Sequence, residues 1–235
     1  MFRSVLVPVD FTQDASDLLE FCEGLPGLGV QKVVLAHVVD ASGMEGPVIA
    51  AKVDQVRNKL NRETTRLRDV GLEVEVRITT GDAAREIVLL AAATQATAIV
   101  MGSHGKRILD QILVGSVSDR VLAGALVPVM LVRYDLVRNN DAPTMLLPEF
   151  PRKILVPTDF SEHADRALGV ALDIAEHMPI CGIDRNEPCG ILLLHVIDRS
   201  VGEHAIVDAE RDACLKMDER VALGAARGVL SLIHI

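Results

Sequence analysis

Gly102, Gly105, Gly115, Ser116 and Ser118, in the stretch MGSHGKRILDQILVGSVSDRVL from Met101 to Leu122, have the types and spacing best suited to chemistry in this chain. Gly102, Gly105 and Gly115 carry no Cβ, so a ligand can approach their backbone closely. Gly115 and Ser116 stand where a helix should open, and the unpaired N–H groups and positive dipole end of a helix suit a phosphate. Ser116 and Ser118 add hydroxyl donors. Neither GxxxxGK[ST] nor GxGxxG occurs, so a nucleotide would bind by another geometry. The same residues also have a plainer reading, with Gly102 and Gly105 as turn glycines and Ser116 as a helix cap paired with Asp119. His104, inside the loop, suits either reading. Asp10 and Asp159 are candidate caps of the helices after them, and His37 and His195 read as hydrogen-bonded structural histidines at strand ends. The charged run from Arg57 to Arg68 reads as a solvated helix face.

The elements that must position these residues follow from periodicity. Val5 to Val9 and Val33 to Val39 are short apolar runs of the kind expected of strands buried on two faces. Ala15, Leu18, Leu19 and Cys22 recur between them at helical spacing, which makes a βαβ unit. Ile49, Val53, Val56, Leu60 and Leu67 mark a long helix. Leu72, Val74, Val76 and Ile78 then alternate with polar residues, as in an edge strand with one wet face. Gly81 and Asp82 turn the chain into a third helix, with Asp82 as its N-cap. Ala98 to Met101 forms the next strand, and a last helix and the strand 128–132 close the domain. The alternation requires a doubly wound α/β fold with a parallel sheet and right-handed crossovers, and ligands of such sheets bind at the carboxyl ends of the strands.

The chain also aligns with itself. VLVPVDFTQDASDLL from Val5 matches ILVPTDFSEHADRAL from Ile154, and LAHVVD from Leu35 matches LLHVID from Leu193. The offset grows from 149 to 158 residues between the two matches, which places nine extra residues in the loop region from Met178 to Gly190. The expected division is a complete domain over 1–136, a linker over 137–151 and a partial second copy over 152–235, in which VLSLIHI is a candidate third strand and a truncated or frame-shifted ending is an alternative.

Composition excludes several classes. With 33 acidic and 24 basic residues the formal charge is −9, which repels a phosphate backbone, and five Phe, one Tyr and no Trp leave few stacking platforms. Nucleic acid is not an expected partner. Cys22, Cys181, Cys189 and Cys214 form no CxxC or zinc-type spacing and read as reduced thiols. The opening MFRSVLVPVDF reads as a strand and not a signal peptide, so the expectation is a cytoplasmic protein. No membrane span is expected, because the run from Ile87 to Met101 is broken by Thr94, Gln95 and Thr97 and is shorter than the ~18 apolar residues needed.

On these motifs the chain resembles the universal stress protein family, whose ATP-binding members carry glycine, two residues, glycine, nine residues, glycine and then Ser or Thr. Gly102, Gly105, Gly115 and Ser116 fit that pattern, and LVPVDFT, LAHVVD and MGSHG resemble the family's strands in the right order. The resemblance covers the first copy and about half of the second. It implies a five-stranded sheet in the order 3-2-1-4-5, of the adenine nucleotide alpha hydrolase-like type, with ATP across the ends of strands one and four. Pro8, Val9 and Asp10 would flank the adenosine, and the backbone of Val38 would read the adenine edge. Gly102, His104 and Gly105 would line ribose and phosphates. Gly115, Ser116, Val117 and Ser118 would hold the phosphates, with Mg2+ or Mn2+ on the phosphate oxygens. The second copy keeps Pro157, Thr158, Asp159 and Val196 without a glycine loop, so it offers half a site.

The resemblance further implies a homodimer through strand 128–132, and a nucleotide-dependent switch in stress response or signalling. Two alternatives remain open at this point. One is a slow ATPase in which Asp10 or His104 orients water, and the other is a dimerisation module without ligand.

Overall fold

The computed structural model describes residues 2–11, 15–102, 115–132, 153–177, 190–196 and 203–226. The chain divides into two compact units, Met1–Pro148 and Glu149–Ile235.

Unit 1 contains β1 (Ser4–Pro8), α1 (Ala15–Glu23), a 3-10 turn (Leu25–Leu28), β2 (Lys32–Val39), α2 (Gly46–Asp69), β3 (Glu73–Thr80), α3 (Ala83–Ala93), β4 (Ala98–Gly102), α4 (Ser116–Gly124) and β5 (Val129–Val132). The five strands form one sheet in the order β3-β2-β1-β4-β5, all parallel. The doubly wound fold and strand order anticipated from the sequence are therefore present. Side chains alternate between the two faces of each strand. Leu6, Val34 and Ala36 pack on one face against Ala84, Ile87 and Ala91 of α3 and Val121 of α4. Val5, Val7, Val33 and Leu35 occupy the opposite face and are also buried, as are Leu18, Leu19 and Cys22 of α1 and Val56, Leu60 and Leu67 of α2. Each fully buried leucine of this kind contributes about 2 kcal/mol.

Strand β3 is the sheet's edge, as its alternation predicts. Its polar residues Glu73, Glu75 and Arg77 form ion pairs with Lys32 and one another. Helix α3 starts at Asp82, whose carboxylate accepts the Arg85 N–H at 3.0 Å. The 3-10 turn, LPGL, is an element the periodicity does not reveal, and Gly29 closes it at φ 78°. Its four residues are too few to show a period.

Unit 2 contains β6 (Lys153–Pro157), α5 (Glu162–His177), β7 (Gly190–Leu194) and α6 (Glu203–Ala226). Strands β6 and β7 pair in parallel, and their register repeats that of β1 and β2: Ile154 faces Ile191 and Val156 faces Leu193, as Val5 faces Val33 and Val7 faces Leu35. Its core joins Val156, Leu168, Ala171, Leu172, Ile191, Leu193 and Met217. The candidate third strand VLSLIHI and the expected linker lie outside the described residues. No described helix is long and apolar enough to cross a membrane.

Candidate functional site at the carboxyl ends of β1 and β4

Strand order reverses between β1 and β4, and the crevice outside their carboxyl ends is where open α/β sheets bind ligands. Pro8, Val9 and Asp10 lead out of β1. Val9 is buried, and its N–H donates to the Ala36 carbonyl at 2.8 Å, the last bond of the β1–β2 ladder. Asp10 is exposed. Val38 lies two residues beyond Ala36 on β2, with its side chain against the α3–α4 core. Backbone groups alternate in direction along a parallel strand. Since the Ala36 carbonyl points to β1 and the Val39 carbonyl to Gly81 after β3, the Val38 N–H and C=O point to the β1 side, past the end of the ladder.

His37 Nδ1 lies 2.5 Å from the Val9 carbonyl oxygen. A carbonyl only accepts, so this nitrogen carries the proton and the ring acts as the structural histidine the sequence suggested. Burial pushes the His37 pKa below its ordinary value. The Val9 hydrogen bond and Asp10 oppose this, while Lys52 and Lys59 of α2 reinforce it. The ring leans on Phe11 with centroids 5.0 Å apart, and Lys59 Nζ stands 5.3 Å from the Phe11 ring centre.

At the end of β4, the Gly102 carbonyl accepts the Ser118 hydroxyl at 3.0 Å. This bond ties the first turn of α4 to the strand and leaves Ser118 only 4% exposed. Gly115 is the N-cap of α4, with φ −61° and ψ 149°, and its carbonyl accepts the Asp119 N–H at 2.8 Å. Ser116 is the first helical residue, one place beyond the cap, so the N-cap position considered for it falls to Gly115. Ser116 is exposed and Val117 partly buried against the core. The N–H groups of Ser116, Val117 and Ser118 are those that a helix start leaves without intrahelical partners. The Gly115 dihedrals are open to any residue, so a need for glycine there comes from close approach and not from backbone conformation.

Arg120 of α4 grips Asp82 with two hydrogen bonds of 2.8 Å, so one carboxylate both caps α3 and fixes α4. That guanidinium and the Arg85 N–H hold the Asp82 pKa below the ordinary carboxylate range. His104 and Gly105 lie outside the described residues. Pro8, Val9 and Asp10 thus stand at the carboxyl end of β1 beside Val38 of β2, and Gly102, Gly115, Ser116, Val117 and Ser118 at the end of β4 and the start of α4. The sequence reading missed Phe11, Lys59 and Arg120. Only Phe11 left a signal, since Phe160 repeats it in the second copy.

Among the described residues no cluster of three His, Cys, Asp or Glu side chains is gathered to hold a metal. The buried Cys22 thiol is pushed well up by desolvation, which leaves it in the unreactive thiol form.

The model of the universal stress protein family matches residues 1–133. Universal stress protein MJ0577 of Methanocaldococcus jannaschii is 29% identical over 155 residues, spanning 57% of this chain and 96% of that protein. Its solved structure aligns at 32% identity with a TM-score of 0.51, covering 57% of this chain and 96% of its own. Universal stress protein YxiE of Bacillus subtilis is 26% identical over 148 residues, covering 57% of this chain and all of that protein. A universal stress protein structure from Archaeoglobus fulgidus shares the fold over 98% of this chain and 75% of its own, with a TM-score of 0.66 at 21% identity.

Proposed function

The chain belongs to the universal stress protein family, and from that premise we propose that unit 1 binds ATP across the ends of β1 and β4 and acts as a nucleotide-dependent switch in stress response or signalling. The observation that carries this reading is the pairing of two backbone features across one crevice. The Val38 N–H and C=O point past the ladder at one end, and the α4 N-terminus opens behind Gly115 at the other. The first is suited to the edge of a purine and the second to phosphate oxygens. In this reading Pro8, Val9 and Asp10 flank the adenosine, and Gly102, His104 and Gly105 line ribose and phosphates. Gly115, Ser116, Val117 and Ser118 hold the phosphates, with Mg2+ or Mn2+ on the phosphate oxygens. Because the Ser118 hydroxyl proton is committed to Gly102, Ser118 would serve a phosphate through its backbone N–H. A switch requires that ATP bind two states of the protein differently.

The test is ATP titration, with nucleotide quantified in the protein as purified, for the wild type and Gly115→Val. The variant should keep its fold, since the Gly115 dihedrals suit any residue, and should lose ATP binding by at least about a hundredfold through steric exclusion. A wild type that binds no ATP would reduce unit 1 to an interaction module. Turnover on the same sample separates a switch from a slow ATPase.

A second reading concerns assembly, and we propose a homodimer through the edge strand β5. The Ile99 N–H donates to the Pro128 carbonyl at 2.9 Å. By the same alternation, the backbone groups of Val129 and Leu131 face away from β4. Leu122 and Leu126 stand nearby, 42% and 94% exposed, as an apolar surface for a second copy to cover.

A further inference from the structure

In a parallel pair, a residue whose N–H donates to one partner residue accepts with its own carbonyl from the residue two further along. The Val9 N–H donates to Ala36, so the next bond due is from the Val38 N–H to the Val9 carbonyl. The register instead ends at Pro8 facing Ala36. The Val9 carbonyl is taken by His37 Nδ1 at 2.5 Å, and the chain then turns through Phe11 at φ 56°. A bulky residue in the left-handed region is strained and persists only where its surroundings hold it. Here those surroundings are the His37 ring and Lys59.

Unit 2 repeats the arrangement with different neighbours. Its register ends at Pro157 facing Leu194, and the Thr158 N–H donates to Leu194 at 2.8 Å. His195 Nδ1 takes the Thr158 carbonyl at 2.7 Å, and Phe160 sits at φ 64° with its ring centroid 4.3 Å from that of His195. Lys216 and Arg220 of α6 stand 5.5 and 5.0 Å from the Phe160 ring centre. Lys59 and Lys216 occupy the same position of two helices that are both 24 residues long. Strained backbone held by the same four-part contact in both copies is a built feature, and its common result is a ladder stopped one bond short.

We propose that His37 is a positioning residue that takes the Val9 carbonyl out of the ladder and so keeps the Val38 backbone open to the adenine edge of a bound nucleotide. This deepens the ATP reading above and rests on it. Without the imidazole donor, the Val9 carbonyl would fall back on the Val38 N–H. The strands would zip by one more bond, and the base would lose its backbone partner. The phosphate end, built on α4 and the end of β4, would not change.

The experiment compares full-length wild type, His37→Leu, His37→Asn and His195→Leu. Two readouts are used: affinity for ATP and for inorganic tripolyphosphate, and hydrogen exchange at the Val38 amide without ligand. Leucine keeps bulk without a donor, while the asparagine amide can donate from near the position of Nδ1. His37→Leu should weaken ATP roughly tenfold, the scale of one lost hydrogen bond, and leave tripolyphosphate unchanged. Val38 exchange should become slower, because its amide gains a partner. A merely structural loss would make it faster. His37→Asn should restore both values, and His195→Leu should leave ATP affinity at the wild-type level.

Unchanged or faster Val38 exchange in His37→Leu overturns the proposal, as does equal loss of ATP and tripolyphosphate. Should His37→Leu fail to fold, the wild type decides. ATP must slow Val38 exchange while tripolyphosphate leaves it as it was, and any other pattern overturns the proposal. A wild type that binds no ATP defeats the nucleotide reading itself, and the exchange data then still report separately whether His37 holds the ladder open.

Discussion

Single protons fix the geometry of the crevice at the residue scale. The Ser118 hydroxyl gives its only proton to Gly102, and the neutral His37 ring gives the proton on Nδ1 to Val9. The His37 pKa lies below its ordinary value of 6.5, chiefly through burial. A group whose charged form is disfavoured on folding binds its proton first in the unfolded chain, so stability rises with pH across that window. The contribution of His37 is therefore complete above 6.5 and declines as pH falls through the lower folded value. Urea midpoints recorded from neutral to mildly acidic pH should show this decline in wild type and lose its His37 part in His37→Asn. A midpoint that rises on acidification in this range would contradict it. The sequence already marked His37 and His195 as structural histidines at strand ends. It could not show that each holds the carbonyl its strand pair would otherwise use, since that depends on a register set by folding.

The helices and strands carry their own signals, and these differ in reach. Asp82 was legible as an N-cap because the cap and the N–H it accepts are three residues apart. Its second role, gripping Arg120, joins residues 38 apart, and only the packing of α3 beside α4 brings them together. The start of α4 shifted by one position, with Gly115 as cap in place of Ser116, because serine hydroxyls suit both places and the backbone alone decides. Strand β3 announced its edge position by alternation, whereas β5 is too short to do so. The proposed dimer depends on the outward backbone groups of β5. Leu131→Pro removes one outward N–H without touching the β4 ladder, so it should shift sedimentation from dimer to monomer while ATP binding persists. An unchanged sedimentation profile would place any dimer contact elsewhere.

Across the whole molecule the internal self-match was the clearest sequence feature, and β6–β7 pair in the same parallel register as β1–β2. What the alignment hides is the difference in cover. Leu6 is fully buried under α3 and α4, but its counterpart Leu155 is 54% exposed. Val38 is partly buried and Val196 is 77% exposed. Leu6→Ala should cost about 3 kcal/mol of unfolding free energy, and Leu155→Ala less than about 1, since little apolar area is lost with it. Equal losses in chemical denaturation would mean that Leu155 is covered in solution. The registers of the two strand pairs are nonetheless the same, residue for residue. Alignment of neighbouring strands and shelter of their faces are thus separable in this chain: one strand pair can lose its roof over Leu155 and still keep step.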